Sequence, residues 1–219
     1  MPRSGLVPAA VVAAGATIAD EVGLAGLTMG LLAERVGVRP PSLYKHVGSL
    51  AALRRGIAIQ AERELADTLA RATAGRSGPE AVHAFADAYR RWVLDHPGRY
   101  AATIRAAPAG DEGPRTLLRI LAGFGLRETH AVQAARTVRS VLHGFATLEG
   151  AGGFGLPRDI DRSYRLLIDT LVTGLRSSGH AGSAPAASPS RSSGRDGDAP
   201  AAPPSRSSGG AGGGHPAQE

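Results

Sequence analysis

Seven of the eight residues from Arg39 to His46 are suited to contact a polyanion or the rigid approach to one: Arg39, Pro40, Pro41, Ser42, Tyr44, Lys45 and His46. Arginine, serine and lysine can reach base edges in a major groove. Tyrosine and histidine can each donate one hydrogen bond to a phosphate and so fix register. Lys45 is the chain's only lysine, every other basic side chain being arginine. Chemistry of this kind needs the side chains on one face of a short, firmly held element.

The flanking sequence predicts that element. Thr28 can cap a helix by accepting from backbone N–H groups that otherwise lack partners. Leu31, Leu32 and Val36 then fall on one helical face beside the small Ala33, and Gly37 supplies the positive φ that ends a helix. A residue before proline is disfavoured in the α region, so Arg39 and Pro40 are expected to be extended. Pro41 fits a first helical turn, which gives a second helix from about Pro41 to Val47 with Leu43 and Val47 facing inward. Gly48 and Ser49 make the next turn. Ser49 caps a helix starting near Leu50, whose free N–H groups suit a phosphate.

Two short helices, a tight turn and a third helix form a helix-turn-helix. The stretch LTMGLLAERVGVRPPSLYKHVGSLAAL resembles the DNA-binding domain of the TetR/AcrR family of transcriptional repressors. The resemblance rests on Leu27-Thr28, Leu32-Ala33, Gly37-Val38, Leu43-Tyr44, His46-Val47 and Leu53. It implies phosphate contacts from Tyr44 and His46, and base contacts from Pro40, Pro41, Ser42 and Lys45. The chain departs from the pattern at two positions. Leu50 stands where the family often has lysine, and Gly30 where some members carry a base-reading arginine.

The rest of the chain must support or control this unit. Its 219 residues allow one or two domains. Hydrophobic residues make up 42 %, but aromatics only 4 %, so the core is expected to be aliphatic and helical. The 25 basic against 19 acidic residues fit a polyanion partner. With no cysteine there is no disulfide, thiol nucleophile or thiolate metal site. The arginine-rich, lysine-poor composition suits a high-GC bacterial genome. Residues 6–19 are interrupted by Pro8, Gly15 and Thr17. We therefore expect no signal peptide and no membrane span, and a cytoplasmic protein.

Periodicity predicts about nine helices. Helix 1 starts at Pro8, with Val11, Ala14, Ile18 and Val22 on one face, and breaks at Gly23 and Gly26. Arg3 precedes it as a candidate DNA-contacting arm. Helix 4 is expected from about Leu50 to Ala74, helix 5 from Pro79 to Asp95, and helix 6 from Tyr100 to Ala107. Helix 7 is expected from Pro114 to about Phe124, helix 8 from Glu128 to Glu149, and helix 9 from Ile160 to Arg176. The expected fold class is all-α: a helix-turn-helix domain over residues 5–65 (motif 28–47) and a ligand-binding and dimerisation domain over 77–177. Residues 178–219, rich in Ser, Gly, Ala and Pro, read as disordered.

Helices 8 and 9 carry apolar stripes that suit an intersubunit four-helix bundle. Val132, Ala135 and Val138 lie on the first stripe, followed by Leu142 and Phe145, while the second holds Tyr164, Leu167, Ile168, Leu171 and Leu175. The resemblance extends here, to the WHG-type subgroup of C-terminal domains, and implies a homodimer joined by Leu142, Phe145 and those helix 9 residues. It also implies an effector site between helices 5 to 8, for which Tyr89, Trp92, Arg105, Phe124, Arg139 and His143 are the candidates. The alternative for each is plain core packing.

No catalytic set emerges. Asp159 and Asp161 are spaced like a helix cap, and His83, His96, His130 and His143 lack metal-ligand spacing. The glycine-rich stretch from Gly150 to Gly155 follows a helix and is not followed by lysine, unlike a phosphate loop. We expect no cofactor and no metal. The sequence reads as a DNA-binding transcriptional regulator, most simply a repressor that binds a palindromic operator as a dimer and is released by a small molecule. The alternative is a helical ligand-binding or protein-interaction module with incidental DNA affinity.

Overall fold

The computed structural model describes residues 7–105, 112–156 and 159–181. Among these residues the chain is all-α, with nine helices and no strand. They are α1 Pro8–Gly26, α2 Met29–Val36, α3 Pro40–Val47, α4 Leu50–Thr73, α5 Gly78–Asp95, α6 Pro97–Arg105, α7 Glu112–Ala122, α8 Glu128–Gly150 and α9 Ile160–Ala181.

Several boundaries differ from expectation for one reason. Pro40 and Pro97 lie inside the first turns of α3 and α6 rather than before them, and α7 begins at Glu112, ahead of Pro114. The first backbone N–H groups of a helix have no intrahelical partner, so proline costs nothing there. α9 runs five residues beyond Arg176. Its last turn is closed by Ser177 and Ser178, whose hydroxyls donate to the carbonyls of Thr173 and Gly174. It docks where a Cβ on Gly179 would lie 1.9 Å from the Phe124 carbonyl oxygen. Residues 178–181 are therefore helical, and the remainder of the expected tail, like Arg3, lies outside the described residues.

Two hydrophobic clusters organise the helices. The first, the head, gathers Val11, Ile18, Leu27, Leu32, Leu43, Leu53 and Ile57 from α1 to α4, with Ala102 from α6. Small residues let these helices cross closely. A Cβ on Gly15 would stand 3.0 Å from a Leu53 methyl, and one on Gly56 would stand 3.0 Å from a Val12 methyl. α1 is 19 residues long and apolar, and length and composition alone are weak evidence for a membrane span. Here Val11, Ala16, Ile18 and Ala19 are buried in the head, and Gly23 interrupts the helix at φ 78°. Past that break, Arg54 of α4 donates to the Leu24 carbonyl at 3.2 Å. Val22 and Leu31, expected on buried faces, are exposed instead. Val22 directly precedes the Gly23 break, and Met29 takes the buried place on α2.

The second cluster, the body, combines α5, α7, α8 and α9 with the end of α4 and Tyr100 of α6. Seven residues of α5 are buried in it, including Phe85, Tyr89 and Trp92. Arg90 closes α8 and α9 onto this helix. It grips Glu149 through Nε at 2.7 Å and Nη2 at 2.5 Å, and Asp161 through Nη1 at 2.7 Å. Its guanidinium also lies 4.6 Å from the centre of the Tyr164 ring. The Glu149 hydrogen bonds, then the Asp161 contact, hold Arg90 even more firmly protonated than usual.

Of the residues expected at a dimer seam, Leu142, Tyr164, Ile168 and Leu175 are buried in the protomer's own core. Phe145, Leu167 and Leu171 are half-buried, and Phe145 is stacked between Phe154 of the glycine-rich loop and Tyr164. Val132, expected on the same stripe, is exposed. An apolar stripe marks a covered face without saying what covers it.

Candidate nucleic-acid interface

The helix-turn-helix is built from local hydrogen bonds. Thr28 Oγ1 accepts from the Leu31 N–H at 3.2 Å and opens α2. Gly37 closes it at φ 70°, with Gly37 N–H donating to the Glu34 carbonyl and Val38 N–H to that of Ala33. This paired arrangement satisfies two terminal carbonyls in a left-handed turn that favours glycine. Arg39 is extended as the N-cap of α3, and Pro40 and Pro41 follow within the first turn. Leu43 is the one fully buried side chain of α3, and anchors it in the head. Ser49 Oγ accepts from the Ala52 N–H at 3.0 Å and opens α4.

The anchor leaves one face of α3 outward. Arg39, Pro40, Pro41, Tyr44 and Lys45 are exposed, while Ser42 and His46 are half-buried beside them. Among the described residues neither Arg39 nor Lys45 forms an ion pair, whereas Arg35 of α2 is clamped by both oxygens of Glu21. That pairing holds the Glu21 carboxyl below its usual range, chiefly through the hydrogen bond from Arg35. Charge thus joins α1 to α2 and is left free on α3. Thr28 and Ser49 are exposed at the two helix starts, with their side-chain oxygens engaged as caps.

The candidate effector residues are partly assembled. Tyr100, overlooked in the sequence, bonds to the Tyr89 hydroxyl and lies 2.7 Å from His143 Nδ1. Trp92 meets the Tyr100 ring edge-on at 6.5 Å. Burial pushes the phenols of Tyr89 and Tyr100 above the ordinary range, against a smaller opposite pull from Arg139. Arg139 itself is exposed. Phe124 falls elsewhere, in the turn after α7 against Gly179. The Arg105 side chain lies outside the described residues.

Residues 82–171 match the family described as the Tetracyclin repressor-like, C-terminal domain. The HTH-type transcriptional regulator YobS of Bacillus subtilis (strain 168) is 34 % identical over 181 residues, spanning 80 % of this chain and 95 % of that protein. The chain belongs to the TetR family of DNA-binding transcriptional regulators. Solved structures superpose on it. BioQ of Mycobacterium smegmatis is 29 % identical, with a TM-score of 0.64 over 80 % of this chain and 99 % of BioQ. A variant of TetR from Acinetobacter baumannii AYE in complex with minocycline is 25 % identical, with a TM-score of 0.64 over 78 % of this chain and 97 % of that one.

In this TetR-family regulator a cavity of about 330 Å³ opens between the end of α4, the start of α5 and α7. Thr73, Arg76, Thr116, Arg119 and Ile120 are among its lining residues, and none of the six candidate effector residues is. Tyr100 escaped sequence reading because its partner His143 lies 43 positions away. Its only signal was an aromatic residue at the start of a short helix.

Proposed function

We propose that this regulator is a repressor that binds a palindromic operator as a homodimer and leaves it when a small molecule binds the body. The observation that carries the reading is the α3 surface. One buried anchor, Leu43, lies beneath an exposed face on which Arg39 and Lys45 have no ion-pair partner among the described residues. On this reading Pro40, Pro41, Ser42, Arg39 and Lys45 face bases. Tyr44, His46 and the helix starts at Thr28 and Ser49 hold phosphates. Family membership supports DNA binding, and the minocycline complex of the Acinetobacter relative supports effector control.

A recognition helix of two turns reads few base pairs, so two-fold pairing multiplies both affinity and specificity. The outer faces of α8 and α9 are suited to that contact. Leu148 and Leu166 are exposed there, and space is open where a Cβ would stand on Gly144 or Gly174. The effector acts through differential affinity for two head positions. A coupling of about 1–3 kcal/mol lowers DNA affinity about 5- to 150-fold.

Fluorescence anisotropy with DNA from upstream of the protein's own coding sequence, combined with sedimentation, tests the proposal. It predicts tight binding of one dimer per site at about physiological salt, where non-specific binding is weak. It also predicts release by compounds that change Trp92 fluorescence. Equal affinity for unrelated DNA, or binding by a monomer, contradicts it.

A further inference from the structure

α6 is nine residues long and serves both clusters at once. Ala102 is buried in the head, while Tyr100 is buried in the body against Tyr89, Trp92 and His143. The start of α6 lies on α1 so closely that a Cβ on Gly98 would fall 1.9 Å from the Ala19 carbonyl oxygen. Between Gly98 and Tyr100 stands Arg99. Its backbone N–H donates to Asp20 Oδ1 of α1 at 2.8 Å, and its Nε lies 3.0 Å from Asp20 Oδ2. Its Nη1 donates to Glu64 Oε2 of α4 at 3.0 Å, and Gln60 orients that carboxylate from the other side at 2.7 Å. His96 Nδ1, before α6, lies 3.4 Å from Asp20 Oδ2. The side chains of Arg99 and Asp20 are only 18 % and 14 % exposed.

We infer that Arg99 is the positioning residue that fixes the angle of the DNA-reading head, by holding Asp20 of α1 and Glu64 of α4 with one guanidinium. Asp20 sits three residues before the Gly23 break that leads into α2, so the grip falls next to the helix-turn-helix. Removing the guanidinium leaves two carboxylates from different helices without their shared cation, and a half-buried unpaired charge is costly. The head then has more than one permitted angle. Tyr100 is the next residue along the same helix, so a displacement of Tyr100 from Tyr89 and His143 turns Arg99 with it.

This inference rests on the dimeric-operator reading, because head angle matters only when two heads must fit one duplex. The test uses three DNAs: the operator protected by the wild-type protein, the same operator with one base pair inserted between half-sites, and a single half-site. Affinities are measured by fluorescence anisotropy for the wild type, Arg99→Gln, Arg99→Lys and Asp20→Asn. The amide oxygen that Asp20→Asn introduces can still accept the Arg99 backbone N–H, so this variant removes charge while keeping the cap. The wild type is expected to lose about tenfold or more on insertion, within the range of typical coupling. Arg99→Gln and Asp20→Asn are expected to lose about threefold or less, with half-site affinity unchanged and Arg99→Lys intermediate.

A wild-type spacing penalty retained by Arg99→Gln overturns the inference, whatever its melting temperature. If Arg99→Gln does not fold, Asp20→Asn decides by the same criterion. A wild-type protein that binds the half-site and both operators equally instead overturns the dimeric reading beneath it, and the inference with it.

Discussion

The two clusters of this chain are built from different materials. The head core, brought close by Gly15 and Gly56, has no buried aromatic ring among the described residues. The body core holds Phe85, Tyr89, Trp92, Tyr100 and Tyr164, and with them the buried hydroxyls. The difference follows from what each part must do. The head holds a short helix rigidly by one side chain and keeps polar groups outside for DNA. The body keeps its phenol hydroxyls buried beside a half-buried imidazole, which suits the effector control proposed above. Ionic groups follow the same division, since Arg90 ties helices within the body while Arg99 spans body and head.

The largest effect is expected from Leu43→Ala, which removes the only full anchor of α3. Urea unfolding is predicted to show a loss of about 2–5 kcal/mol, with DNA binding lost. A smaller loss would mean that Val47 and Val38 hold α3 without it. Arg90→Ala strands the largely buried Glu149 and is predicted to cost about 3 kcal/mol, seen in the same measurement. A cost near zero would show that the body does not depend on this pair.

Alkaline pH discriminates the two clusters directly. Burial raises the phenols of Tyr89, Tyr100 and Tyr164 above their unfolded value. The neutral forms are favoured by folding, so this stability is fully present below the unfolded value of about 10. It is lost as pH rises from there toward the higher folded values. Denaturant melts followed by Trp92 fluorescence are expected to weaken over that window. Melts that stay unchanged would place these hydroxyls in contact with solvent.

Two α3 variants sharpen the head's side of the comparison and should leave stability alone. Lys45→Ala is predicted to relax discrimination at one operator position by about 1–3 kcal/mol. A uniform loss across sequences would reassign Lys45 to phosphate. Tyr44→Phe is predicted to weaken binding to every sequence by about 1 kcal/mol, and a loss confined to one base pair would reverse that role.

The features readable from sequence were those made by neighbours. Thr28, Gly37 and Ser49 act within three or four residues, so their caps and turn were legible from residue type alone. The α5 span was legible because its apolar residues keep one helical period throughout. Long-range choices were not. Helix 6 is expected only from Tyr100, although α6 begins at Pro97. The apolar residues of α9 were read as an intersubunit seam, although Tyr164, Ile168 and Leu175 fill their own core. Arg99 and Arg90 gain their roles only from partners on helices dozens of residues away, and Tyr100 in part from His143, 43 positions on.

Hydroxyl-radical footprinting of the wild-type protein on its own upstream DNA tests the central claim most directly. The account predicts two protected patches on one side of the duplex, related by two-fold symmetry and separated by about 34 Å or a multiple of it. A single protected patch, or protection that ignores sequence, would contradict it.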